Sequence, residues 1–526
     1  MEPSTTAHEH LTTAGGVRAV WAHVPGDAYG FLVLGVGQRD LTPATAGLHH
    51  LVEHLVMRRV GRVPTEHNAS SSPDSMVFHA SGTREDVLAF LRAVATAIAG
   101  LDSVTEEEIA AERSTILAEI GPSGVYASAD AMAHRWGPAG LGLVDLGHVA
   151  LPFLTPADVR AFSAQWLTRG TAVLATTFEP PADLRLDLPA GEPPARAPHP
   201  APLPGPSPAF GVSTSDGVSL SFLVETPHAL RELVASVLEE TALRALRLDR
   251  GLVYDASLLA YQVDATTATW LLLLDPQDGA VDEVLLLARR LVADLAQDGP
   301  DPDVLAHARA AVRARAASVD GRIGDLLTSA ELLARGGTYA TVPELLAASE
   351  TATAEDVRAA VAAFLPSLVL LAPGRVGFQE PTEEALLAAG LAGRRPLAVY
   401  ADMTPEQIRQ DLLTDGRPEA GRGSVLRPAM SVHKGRFLSP WRGSEIWIGR
   451  NQIAITELGA RIRAEDVVLL GEDDDGDVEI VTRQGGVVSL APDGFRGARR
   501  PWDTFVAQLP PEVVRHKTGY SVRAAS

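Results

Sequence analysis

The sequence predicts an α+β protein built from two duplicated units, each a sheet with helices on one face, followed by a small, mainly β region. Three observations carry this expectation. A strand-like run and two apolar-periodic helices recur in the same order at similar spacing. They are Met76 to Ser81, Glu85 to Ile98 and Glu106 to Ile120 in the first half, and Thr269 to Leu274, Ala280 to Leu295 and Pro302 to Ala316 in the second. Between them, Pro193 to Pro208 holds eight prolines in sixteen residues, which prevents regular structure and makes a stiff connector. Far downstream, Ile446 to Ile448, Gln452 to Ile455, Val467 to Leu470, Val478 to Thr482 and Val487 to Leu490 are short strand-like runs separated by Asn, Asp and Gly turns.

In chain order, Met1 to Gly16 is polar, without the basic start and apolar core of a secretory signal, and its His8-Glu9-His10 reads as a mobile tail. The first unit is expected over 15–190, the linker over 191–208 and the second unit over 209–376. Leu233 to Leu238 falls where the first unit has His50 to His54. A polar connector follows over 377–439, with a helical stretch from Pro405 to Leu413. The β-rich region is expected over 440–515 and closes with a helix from Trp502 to Leu509. Short antiparallel strands with one terminal helix look like a small barrel of pleckstrin-homology type, and no basic cluster in it is specific enough to name a ligand.

Composition narrows the class. At 526 residues and 46% hydrophobic content the chain is long enough for several domains with substantial cores. Cysteine is absent, so neither a disulfide framework nor thiolate ligation is available, and a reducing, cytoplasmic setting is the simplest. A net charge of −21 argues against sequence-independent binding to nucleic acid. No run of about twenty apolar residues exists to insert as a membrane-spanning helix.

The chemistry concentrates at His50, Glu53 and His54, which spell H-x-x-E-H. Positions i and i+4 of a helix lie one above the other, so the two imidazoles can hold one zinc ion while Glu53, on the same face, reaches water there. Catalytic zinc takes three protein ligands as a rule, so a further His or carboxylate is expected elsewhere. Glu112 and Glu119 are candidates, because seven residues make two turns of one helix and point both carboxylates the same way.

With these two motifs the chain resembles the pitrilysin, insulinase and mitochondrial-processing-peptidase family of inverted-motif zinc peptidases, in the manner of a bacterial processing peptidase with an extra C-terminal domain. That family follows H-x-x-E-H with E-x-x-x-x-x-x-E, and Glu-Arg-x-x-Ile-Leu-x-Glu here reads similarly. The resemblance implies that Glu119 completes the zinc site, one ion per chain, and that Glu112 holds a ligand histidine in its tautomer. Asn68-Ala69 through Phe78 is similar to the family's turn and edge strand, which implies that Asn68, Ala69 and Phe78 help hold substrate backbone by strand addition. Leu246-Arg247 through Gly251-Leu252-Val253-Tyr254 is similar to a signature of the family's second half. It implies that Arg247 and Tyr254 orient substrate and stabilise the oxyanion. The resemblance runs over about residues 15 to 375.

The expected activity is thus that of a zinc metalloendopeptidase acting on unfolded peptides or leader-like segments. The resemblance also implies a homodimer, or a heterodimer with a related chain. The alternative is a non-catalytic or regulatory subunit that keeps the fold and works beside an active partner.

Overall fold

The computed structural model describes residues 10–120, 130–213, 217–337, 340–373, 380–395, 430–437, 439–440, 442–455 and 460–517. The expected helix from Pro405 to Leu413 lies outside these, as do residues 1–9.

Six strands make the first sheet: β1 (His10–Ala14), β2 (Val17–Trp21), β3 (Ala28–Leu34), β4 (Glu66–Ser71), β5 (Met76–Gly82) and β6 (Ala172–Thr176). Their spatial order is β1-β2-β6-β3-β5-β4. The second sheet comprises β7 (Ala209–Ser213), β8 (Val218–Val224), β9 (Val253–Gln262), β10 (Ala268–Pro276), β11 (Val369–Pro373) and β12 (Gly393–Arg394), in the order β12-β7-β11-β8-β10-β9. From β2 and from β7 onward the two orders coincide strand for strand. The sheets also share a parallel pair at the same place, β2 with β6 and β7 with β11, and the second adds another between β12 and β7. The duplication expected from the sequence is therefore a duplication of topology. β1 extends the first unit upstream of residue 15, and its His10 ring stacks on Trp21 at 4.1 Å rather than trailing in a tail.

The first unit's helices are α1 (Leu48–Val60), α2 (Arg84–Ala99), α3 (Glu106–Ile120), α4 (Ala131–Trp136), α5 (Leu143–Leu146) and α6 (Pro156–Trp166). The second unit's are α7 (His228–Ala242), α8 (Val281–Asp298), α9 (Pro302–Ala317), α10 (Val319–Ala334), α11 (Val342–Thr351), α12 (Ala354–Phe364) and α13 (Glu380–Ala388). Strand β3 reads Ala-Tyr-Gly-Phe-Leu-Val-Leu, a near-continuous apolar run of the kind found where both faces of a sheet are covered. Leu32 and Leu34 enter the core under α1, α2, α3 and α6, whereas Phe31 and Val33 enter a second cluster with Leu326, Ala330 and Ala334 of α10. The second sheet repeats this arrangement. Leu272 and Leu274 face α7, α8, α9 and α12, while Leu271 meets Ala131, Met132 and Trp136 of α4.

Each unit therefore covers one face of its sheet with its own helices and receives a helix from the other unit on the opposite face. Polar contacts reinforce the exchange. The buried Arg135 of α4 donates to the Ser221 hydroxyl at 2.7 Å and to the Ser367 carbonyl at 2.6 Å, and Arg335 after α10 pairs with Asp40 at 2.8 Å.

The C-terminal region forms two four-stranded sheets. One is β13 (Met430–Lys434), β14 (Glu445–Gly449), β15 (Gln452–Ile455) and β16 (Ala460–Arg463) in sequential order. The other is β17 (Val467–Glu472), β18 (Val478–Thr482), β19 (Val487–Leu490) and β20 (Val514–His516), ordered β19-β18-β17-β20. The closing helix is α14 (Arg499–Val506), whose Trp502 and Phe505 fill the core between the strands. The strands begin at Met430, ten residues before the expected start, because β13 pairs with β14.

This region is fused to the first unit. Leu469 and Val481 belong to the same core as α1 and α2. Arg515 pairs with Asp158 at 3.2 Å, in the first turn of α6. Among the described residues no helix is long and apolar enough to cross a membrane.

Candidate metal centre

Helix α1 starts at Gly47, whose φ of +95° suits glycine, and ends at Gly61. Its apolar stripe of Leu48, Leu51, Val52, Leu55 and Val56 binds it to the first core. His50 and Glu53 are nevertheless buried as well, at 3% and 9% exposure, and His54 lies beside them. Polar groups in such a place need partners, and each has one.

The two Nε2 atoms of His50 and His54 face each other at 3.2 Å. Glu119, brought over on α3, sets its Oε2 3.3 Å from His54 Nε2 and 3.8 Å from His50 Nε2. Three ligand atoms around a tetrahedral zinc with bonds of about 2.0–2.1 Å stand about 3.3 Å apart, so this triangle fits the ion. Two nitrogens and one carboxylate oxygen are also the donor types that zinc takes.

The outer nitrogens are occupied. His54 Nδ1 lies 3.3 Å from Glu112 Oε2, and the other Glu112 oxygen accepts from Arg58 at 2.7 Å. His50 Nδ1 lies 2.9 Å from Nε2 of His148, in the turn after α5. Burial, with the neighbouring His148 and His54 adding to it, pulls His50 down to about 3, so at neutral pH its ring is uncharged, the form that can ligate. Burial pushes the Glu53 carboxyl up, against a hydrogen bond from Ser71 and the nearby His54 that favour its ionised form; Glu119 adds to the rise.

The sequence-derived candidates are thus partly brought together. His50, Glu53, His54, Glu112 and Glu119 form one cluster. Asn68 and Ala69 lie within β4 itself, the edge strand of the sheet, and Ser71 at its end reaches Glu53. Phe78 is on β5, one strand in, and its side chain is fully buried in the core, where it packs and meets no solvent. Arg247 sits in a π-helical turn (Leu243–Leu248), exposed, and Tyr254 at the start of β9 is 61% exposed. Among the described residues no hydrogen bond or ion pair joins either to the cluster.

Sequence reading missed His148, Ser71 and Arg58. Arg58 had a signal, since i and i+4 place it one turn beyond His54 on the same face. His148 and Ser71 had none, because only tertiary packing brings them in.

No protein-family model matches the chain, and neither does any curated protein. Solved structures do. A peptidase M16 inactive domain from Pseudomonas fluorescens is 17% identical with a TM-score of 0.56, over 70% of this chain and 98% of that one. A protease from Helicobacter pylori is 14% identical with a TM-score of 0.57, over 70% and 99%. Complex III2 from Candida albicans with Inz-5 bound contributes a chain 15% identical with a TM-score of 0.57, over 73% and 99%. At these identities the likeness is one of fold: the chain has the fold of M16 peptidases, which is carried by a protease and by an inactive domain alike.

Proposed function

We propose that the chain is a zinc-dependent endopeptidase acting on unfolded peptides or leader-like segments. The observation that carries this reading is the triangle of His50 Nε2, His54 Nε2 and Glu119 Oε2, with both outer imidazole nitrogens already engaged. A fold neighbour that has lost activity has no need to keep such a set.

Zinc held at these three donors would polarise the scissile carbonyl and make water more acidic. Glu53 takes the proton of the attacking water and delivers it to the leaving amine. Its raised pKa makes it a stronger base than an ordinary glutamate, which suits a group that must accept a proton and pass it on. Glu112 holds His54 in the tautomer with its proton on Nδ1, and Arg58 fixes Glu112 in turn. The open side of β4 can take an extended peptide as an added strand beside Glu53, with Asn68 and Ala69 supplying backbone contacts. Arg247 and Tyr254 would act from the second unit, of this chain or of a partner copy, on the substrate backbone and the oxyanion. A cytoplasmic homodimer or heterodimer with a related chain belongs to the same reading.

The second reading is a non-catalytic subunit of the same fold. Its support is the exposure of Arg247 and Tyr254 away from the cluster, together with the inactive and complex-bound fold neighbours. Metal analysis and cleavage assays separate the two. The enzyme reading expects one zinc per chain and cleavage of an unfolded polypeptide that a chelator stops. Zinc-loaded protein that cleaves nothing, alone or mixed with related chains, would favour the second.

A further inference from the structure

We propose that His148 is a positioning residue for the metal, accepting at His50 Nδ1 so that His50 presents Nε2 to the ion. The inference rests on the zinc reading above and deepens it. A neutral imidazole carries a single N–H. To ligate through Nε2, His50 must carry its proton on Nδ1, and the atom 2.9 Å from Nδ1 is His148 Nε2. His148 therefore accepts there and keeps its own proton on Nδ1.

The placement of His148 is built. Gln38 donates through Nε2 to the carbonyls of Leu143 at 2.6 Å and Gly147 at 2.8 Å, which fixes the turn from the front. Leu151 N donates to the His148 carbonyl at 2.8 Å and fixes it from behind. At the start of α1 a Cβ on Gly47 would lie 2.9 Å from His148 Cδ2, so the ring reaches His50 because position 47 has no side chain. His148 is itself buried.

The two outer partners differ in kind, which gives the pair a property of its own. A carboxylate only accepts, so Glu112 permits one tautomer of His54 alone. An imidazole both donates and accepts. The His50–His148 contact can be written with the proton on either ring, and in the reversed form His50 carries its proton on Nε2, where the metal belongs. His148 thus admits a ligating and a non-ligating tautomer of His50, and zinc selects the first.

The test is competition for zinc against a chromophoric chelator, with cobalt absorption as the report on ligand geometry, in wild type, His148→Met and His148→Gln. Met fills the space and accepts hydrogen bonds poorly; the Gln carboxamide oxygen accepts them. His148→Met is expected to weaken zinc about 10- to 100-fold, the scale of outer-partner loss, and to alter the cobalt spectrum. His148→Gln is expected to stay close to wild type in both. Should the Met variant not fold, a folded Gln variant that loses zinc as severely would still overturn the assignment. So would a folded Met variant that titrates like wild type. A wild-type protein that takes up no zinc would overturn the metal reading itself, and this inference with it.

Discussion

Helices α1 and α7 occupy the same place in two sheets of the same strand order, one between β3 and β4, the other between β8 and β9. Where α7 buries Leu233, Val234, Val237 and Leu238, α1 buries His50 and Glu53 among its leucines and valines. The fold asks only for an apolar stripe, which α7 supplies; the one charged residue it buries, Arg231 in its first turn, is held by the Thr226 and Thr266 carbonyls and by Gln262. Burying an unpartnered polar side chain costs roughly 1–3 kcal/mol, and His148, Ser71, Glu112 and Glu119 offset that cost for His50, Glu53 and His54 by gathering around them. Chemistry is thus a local departure on one of two equivalent helices, and the neighbouring elements are arranged to stabilise it.

The largest effect comes from giving α1 the character of α7. His50→Leu with His54→Leu should abolish stoichiometric zinc binding and leave the metal-free protein as stable as before or more so, because apolar side chains replace the buried imidazole of His50 and the partly buried one of His54. Zinc analysis and a thermal melt in chelator check both halves. A collapse of stability without metal would mean that the polar cluster holds the unit together by itself.

The units also differ in what completes their cores. The first includes Leu469 and Val481 from the C-terminal β region, whereas the second, among the described residues, includes none beyond Leu391. Leu469→Ala should cost about 2–5 kcal/mol and speed hydrogen exchange in α2 and α6 while leaving α8 protected. Equal loosening of both units would erase this asymmetry. By the same contacts, removing the β region would expose part of the metal-binding unit's core, so it is no detachable appendage.

A finer probe is the outer carboxylate. Glu112→Ala should weaken zinc about 10- to 100-fold without abolishing it, measured beside Glu119→Ala, which should lose the metal under mild chelation. The reverse ranking would exchange the two roles.

The smallest expected effect is on pH dependence. Glu53 works as a base only when ionised, and burial raises its pKa above the usual glutamate value. The rate constant kcat/KM should therefore fall as pH drops through a value above the usual glutamate range, and be restored above it. Ser71→Ala removes a hydrogen bond that favours the ionised form, so the acid limb should move further up. A limb left unmoved in the Ser71 variant would detach Ser71 from the base.

Much of this was legible in the sequence for identifiable reasons. H-x-x-E-H and the Glu112–Glu119 spacing are local helical geometry, and the family resemblance implied that the two motifs meet in one cluster. The duplicated order of strand and helices could be read because apolar periodicity is local too. What escaped depends on packing across the chain. The exchange of α4 and α10 between sheets leaves no periodic mark beyond the doubly apolar β3, and His148 reaches His50 through a turn fixed by Gln38. Phe78 shows the converse: adjacency to a strand-addition motif suggested contact with substrate, yet β5 lies inside the edge and turns that ring into the core.

The most direct test of the metal-activated mechanism is Glu53→Gln. Zinc content and single-turnover cleavage of an unfolded polypeptide would be measured on one preparation, beside wild type. Full zinc occupancy with cleavage reduced by about 10²- to 10⁴-fold is the predicted result, since an amide cannot take the proton but leaves His50, His54 and Glu119 in place. Near-normal turnover in the zinc-loaded variant would contradict it.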